Sequence, residues 1–228
     1  MADHGPQKVV ALPLLQGSSI HDTLTGFAHQ MDHNTHLGRR VAREATVLAA
    51  QIRGWDRVSE VAGAKQADTL LRGTVGRVLH AIEALDGHQI SIGGEPHEPT
   101  ITASFDDDSH ALRAVVTAES VREAASRVLH PSIVERFQAC VGVSSGMVVD
   151  TRVNGGGIEF QATGTLKMFA VRLQEFAGPD QVFLSEATYL SIPAHLDVVP
   201  IGPVRTCGDG ETQEAYALRA LVPDPGTR

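Results

Sequence analysis

The stretch "AAQIRGWDRVSE", residues 49–60, joins an apolar run to a glycine turn and the opening of a helix. That layout presents free backbone N–H groups at the helix start, where they favour an anion such as a phosphate. The residue at the mouth of the turn is Gln51, a neutral amide. Tying a phosphate to Mg²⁺ there calls for a carboxylate. His29, His33 and His36 share one face of a predicted helix, and the i, i+4 spacing suits zinc. A closed zinc site needs a fourth ligand and none is evident, so these histidines read as a polar, solvated face. Asp106, Asp107 and Asp108 precede a helical pattern and read as N-terminal charge and capping. Gly208-Asp209-Gly210 looks like a phosphate turn, but no helix follows it and a hairpin turn is expected.

Composition narrows the classes of function. The chain has 228 residues, 42% hydrophobic and 20% charged, as in an ordinary globular protein. A formal charge of -8, without a dense Lys/Arg stripe, argues against nucleic acid as a partner. No apolar run reaches the length of a membrane span, and the N-terminus lacks the pattern of a secretory signal. Cys140 and Cys207 stand far apart and outside CxxC spacing. They imply a reducing, cytoplasmic setting without a metal cluster.

The elements that must position these residues follow from periodicity. Residues 1–43 form an extension holding five of the eleven histidines. Within it Ile20, Leu24, Phe27 and Met31 form a short amphipathic seam between Ser19 and Gly38. "EATVLAAQI" is a strand covered on both sides, and a helix is expected over about 64–85, with Leu71, Val75, Val78, Ile82 and Leu85 on one face. Strands follow in "LDGHQISI" and "TITASF", then a helix from the Asp run to Arg127. "ERFQACVGVSSGMVVDTRV" reads as two strands around a Ser-Ser-Gly turn. "GTLKMFAVRLQEFAG" is a helix, "DQVFLS" a strand, and "SEATYLSI" a short helix capped by Ser185. The last strands meet in a hairpin at 208–212, and 221–228 is a tail. The order predicts an α/β sandwich over 44–220, a mostly antiparallel sheet with helices on one face.

Taken together, these segments resemble the class III nucleotidyl cyclase catalytic domain. "EATVLAAQIRGWDRVSEVAGAKQADTLLRGTVGRVLHAIEALDG" is similar to its opening and "VGVSSGMVV" to its central hairpin. "GTLKMFAVRLQEFAGPDQVFLSEATY" is similar to its dimer-arm helix and following strand, and "IGPVRTCGDGETQEAYAL" to its closing strands. The resemblance covers about residues 40–220, and its most specific part runs from Arg172-Leu173-Gln174 through "FLSEATY". It implies a ferredoxin-like cyclase fold and conversion of ATP or GTP to a 3′,5′-cyclic monophosphate and pyrophosphate. It also implies a head-to-tail dimer with the active site between subunits. Two Asp would hold two metal ions, Mg²⁺ or Mn²⁺, in the two-metal logic of phosphoryl transfer. An Asn and an Arg four residues later would serve the ribose and the transition state, and a Lys with an Asp or Thr would read the base.

Carried onto this chain, the resemblance gives an incomplete set. The first metal Asp falls on Gln51, followed by Ile52 and the retained Gly54, whose turn would contact the nucleotide. The second falls on Glu95, after Gly94, in a hairpin lengthened by Pro96-His97-Glu98-Pro99. The base-reading Lys becomes Ser91, the Asp/Thr position is Thr165, and the ribose Asn becomes Met168. Arg172 keeps the catalytic Arg. Losing a charged metal ligand costs about 10³-fold in rate. The expectation is therefore a degenerate cyclase domain, weakly active or inactive, acting as a dimeric signalling or nucleotide-binding module. It would pair with itself or with another cyclase domain. The first alternative is an active cyclase using Gln51, Glu95 and Arg172 with Mn²⁺. The second is an interaction protein whose cleft is filled by side chains such as Met168.

Overall fold

The computed structural model describes residues 41–127, 133, 135–152, 158–159, 164–206 and 212–222. The histidine-bearing helix expected at 19–38, the turn at 207–211 and the tail after 222 lie outside the described residues. Strand β1 (Val41–Arg53) is followed by α1 (Trp55–Ala62), α2 (Ala64–Glu83), β2 (His88–Glu95) and β3 (Glu98–Phe105). Helix α3 (His110–Ser126) and strands β4 (Gln138–Arg152) and β5 (Ile158–Glu159) come next. The chain ends in α4 (Gly164–Phe176), β6 (Val182–Ser185), α5 (Glu186–Ser191), β7 (Leu196–Arg205) and β8 (Thr212–Leu221). The strands lie in the order β2-β3-β1-β4-β6-β8-β7, with β5 paired to β4. Every neighbouring pair is antiparallel except β4 with β6. No helix among the described residues is long and apolar enough to cross a membrane.

Alternation along β1 assigns its residues to two faces. Leu48, Ala50 and Ile52 pack with Leu71, Val78 and Ile82 of α2 and with Ala114, Ala118 and Val121 of α3. Ala45, Val47 and Ala49 pack on the other face with Leu166 and Ala170 of α4. Helices thus cover both faces of the sheet rather than one. The double-sided burial is why β1 is a continuous apolar run. Helix α4 lies on β4 at Gly142, where a Cβ would stand 2.1 Å from the Ala170 carbonyl oxygen. Only glycine allows that approach.

The Ser-Ser-Gly segment is a strand interior, not a turn. β4 pairs with β1 without a break from Gln138 to Asp150, and Ser145 and Gly146 face Thr46 and Ala45. The Ser145 hydroxyl is buried at 2.7 Å from Thr46 Oγ1 and 2.9 Å from Thr188 Oγ1. Satisfied hydroxyls permit what the local turn signal argues against. The Asp run also divides its labour. Asp106 pairs with Arg43, while Asp107 accepts from the Ser109 backbone N–H at 2.8 Å and pairs with Arg113. Helix α3 starts only after that turn.

Candidate functional site

The end of β1 carries the candidate site. Gly54 follows it at φ +107°, and a Cβ there would stand 3.1 Å from the Arg136 carbonyl oxygen. The turn therefore requires glycine, and it serves as N-cap of α1. Asp56 already places a carboxylate in the first turn of that helix.

Gln51 faces the α4 side of the sheet, paired across strands with Thr100 and Cys140. Its side-chain oxygen accepts from Arg53 Nε at 2.7 Å and from Gln174 Nε2 at 2.9 Å. Its amide nitrogen donates to Glu98 Oε2 at 3.4 Å. Gln174 is only 2% exposed and is held there by the packing of α4. The carboxylate beside Gln51 is thus that of Glu98. Glu95 stands opposite Glu98 at the other end of the hairpin turn and is exposed.

The residues that lengthen the hairpin pack against the helices after β1. His97 stacks on Trp55, with ring centroids 3.8 Å apart and planes 8° from parallel. Trp55 Nε1 donates to Asp68 Oδ1 at 2.9 Å, and His97 Nε2 lies 3.8 Å from the same oxygen. The tip is docked on the helix that follows the Gly54 turn. Glu98, rather than Glu95, is next to β1 because β3 is the strand paired to it: Thr100 is opposite Gln51, and Glu98 lies two residues on, on the same face.

A second polar set lies farther along the same face. Ser91 Oγ is 2.7 Å from Thr102 Oγ1 and accepts from Lys167 Nζ at 3.0 Å. An ammonium from α4 therefore stands at the position where the resemblance finds a serine for a lysine. Thr165 and Met168 lie on exposed positions of α4 and Arg172 on a half-buried one. Met168 is 48% exposed and fills no cleft among the described residues. Arg172 pairs with Glu175 at 2.8 Å and lies over the Phe176 ring at 5.2 Å, all on its own helix. Neither Glu95 nor Thr165, Met168 and Arg172 forms a hydrogen bond or ion pair with the Gln51 set among the described residues.

The charges around Gln51 affect their neighbours. Burial pushes the Cys140 thiol up from its ordinary range, with Arg53 acting the other way and Asp180 and Glu98 adding to the rise. A metal fits this set poorly. An amide oxygen has two lone pairs, and Gln51 uses both. No group of three His, Cys, Asp or Glu side chains able to hold a metal occurs among the described residues. The described residues around Gln51 do not make a two-metal centre.

Solved structures supply the comparison. The chain is 17% identical to the adenylyl cyclase CyaB from P. aeruginosa, with a TM-score of 0.62 over 82% of this chain and 100% of that one. The fold is that of a class III cyclase catalytic domain. A guanylate cyclase domain from Catenaria anguillulae, solved in complex with GTP, matches at 16% identity and a TM-score of 0.62, over 81% of this chain and all of that one. An adenylate/guanylate cyclase/hydrolase from Silicibacter pomeroyi matches at 22% and 0.58, over 82% and 100%. No protein-family model matches the chain, and no curated protein does. Identities this low carry the cyclase fold and leave the chemistry to the side chains.

Four residues of these sets have no role assigned by the sequence reading: Arg53, Glu98, Lys167 and Gln174. Arg53 shares a face with Gln51 through simple i, i+2 alternation, a signal present in the sequence. Glu98 and Lys167 depend on contacts between elements, for which no local pattern exists.

Proposed function

We propose that this chain is a nucleotide-binding domain of cyclase fold that works as a dimer in signalling and turns over nucleotide weakly or not at all. The observation that carries the reading is the state of Gln51. The residue aligned with a metal-binding Asp is an amide, and its oxygen is already committed to Arg53 and Gln174. The cyclase fold supports a nucleotide as the ligand, and so does the Lys167 ammonium above Ser91 and Thr102. Among the solved neighbours, one guanylyl cyclase domain is described as a non-canonical dimer. In this chain the exposed α4 residues Met168 and Phe176, with half-buried Arg172 between them, form the surface that a second copy or another cyclase domain would cover.

One observation favours an active cyclase instead. The Glu98 carboxylate stands within hydrogen-bonding distance of Gln51 and offers a single charged ligand on the phosphate side. The two readings separate by assay. The full chain is incubated with ATP or GTP and Mg²⁺ or Mn²⁺, cyclic product is sought by mass spectrometry, and melting temperature is followed with and without nucleotide. The expected outcome is a nucleotide-dependent rise in melting temperature without cyclic product. Sustained multiple-turnover formation of cyclic product that disappears in Arg172→Ala would overturn this reading and establish a working cyclase.

A further inference from the structure

Resting on the nucleotide-binding reading above, the geometry points to a polyphosphate site in which the Arg53 guanidinium stands in for the divalent metal. Three arginines surround the Gly54 turn. Arg57 has Glu135 at 3.9 Å and also donates to Gln138, and Arg136 has Asp180 at 3.5 Å. Arg53 has no acid within ion-pair distance among the described residues. Its only hydrogen bond there is the one from Nε to Gln51.

That bond orients the side chain. Gln51 is itself fixed by buried Gln174, so Arg53 Nε is held against the strand and the two terminal nitrogens remain unspent. A guanidinium has five N–H donors in one plane, and four of them are left for a ligand. Their planar arrangement matches two oxygens of a phosphate, which a point cation does not select. The same two hydrogen bonds that spend the Gln51 oxygen against a metal thus aim a permanent cation from the same place. Glu98 is the opposing charge, close to Gln51, and weakens the attraction for an anion. The ligand class is a polyphosphate, either that of a nucleoside triphosphate or inorganic.

The two kinds of site predict opposite signs for the same substitutions. At a guanidinium site, Arg53→Gln weakens binding by about tenfold or more. Glu98→Gln, nearly isosteric, strengthens it by removing a like charge. At a metal site, Glu98→Gln removes the charged ligand and weakens binding, while Arg53→Gln removes a competing cation and strengthens it.

The experiment is calorimetric titration of the full chain with ATP, GTP and inorganic tripolyphosphate, in EDTA and in Mg²⁺. Melting temperatures of both variants verify that they fold. The expected result is binding in EDTA that changes by less than about threefold with Mg²⁺, together with the guanidinium pattern of signs. Competition by tripolyphosphate alone shows the phosphate source to be interchangeable. Nucleotide binding that tripolyphosphate does not compete for places recognition at the base and overturns the role of Arg53. Binding that needs Mg²⁺, or the opposite signs, overturns this inference and leaves nucleotide binding standing. No binding under either condition overturns both.

Discussion

The two faces of β1 pack in different ways. On one, Leu48, Ala50 and Ile52 are completely buried against α2 and α3, and apolar packing is all that the face does. On the other, the same strand runs from Ala45, Val47 and Ala49 under α4 into Gln51 and Arg53, a polar set tied to Gln174 and Glu98. The comparison teaches that the cyclase fold rests on the apolar positions and on the approach of α4, and not on the ligand set. Gln51 sits in the strand without disturbing it because Gln174 and Arg53 satisfy its amide oxygen.

The strongest test of that separation is Gly142→Ala. The added methyl would collide with the backbone of α4 at Ala170 and Gln174, which cannot move aside as a side chain can. The expected loss of stability is about 3 kcal/mol or more, read by urea denaturation, with α4 displaced from the polar set. Wild-type stability in this variant would refute the view that close packing of α4 builds the site.

A paired measurement sharpens the contrast between adjacent residues. Ile52→Ala should cost about 2–5 kcal/mol by opening a cavity in the larger core. Gln51→Ala should cost about 1–3 kcal/mol by stranding the buried Gln174 amide. Equal costs, or a larger cost at Gln51, would make the polar set the main support of this end of β1.

The smallest effect is in the pH dependence. Burial raises the Cys140 pKa in the folded protein, so above the ordinary thiol range the unfolded chain releases a proton that the folded chain keeps. Stability from this group is complete below the unfolded thiol pKa and declines as pH rises through it. Cys140→Ala should flatten that part of the profile in denaturation series at increasing pH. An unchanged slope would show that the thiol is not kept neutral by the fold.

The legible parts of the molecule are those whose cause is local. The apolar run of β1, the glycine at 54 and the apolar face of α2 each follow from a period or a backbone requirement within one element. The Ser-Ser-Gly stretch shows where local cues fail: the Ser145 hydroxyl is satisfied by Thr46 of β1 and Thr188 of α5, so the segment stays in the sheet. Helix placement on both faces likewise depends on α4 crossing back over β4 at Gly142, which no segment reveals alone.

The candidate site divides in the same way. That Gln51 is an amide, that Gly54 keeps its turn and that Arg172 is present were determined by the sequence itself, because identity and backbone preference belong to single residues. Which acid stands beside Gln51 was decided only by the tertiary structure, through the pairing of β3 with β1 that sets Thr100 opposite Gln51 and Glu98 two residues on. So was the meeting of Lys167 with Ser91, across residues far apart in the chain. The physical reason is one of range: alternation and capping act over a few residues, whereas hydrogen bonds between elements depend on the packing of the whole domain.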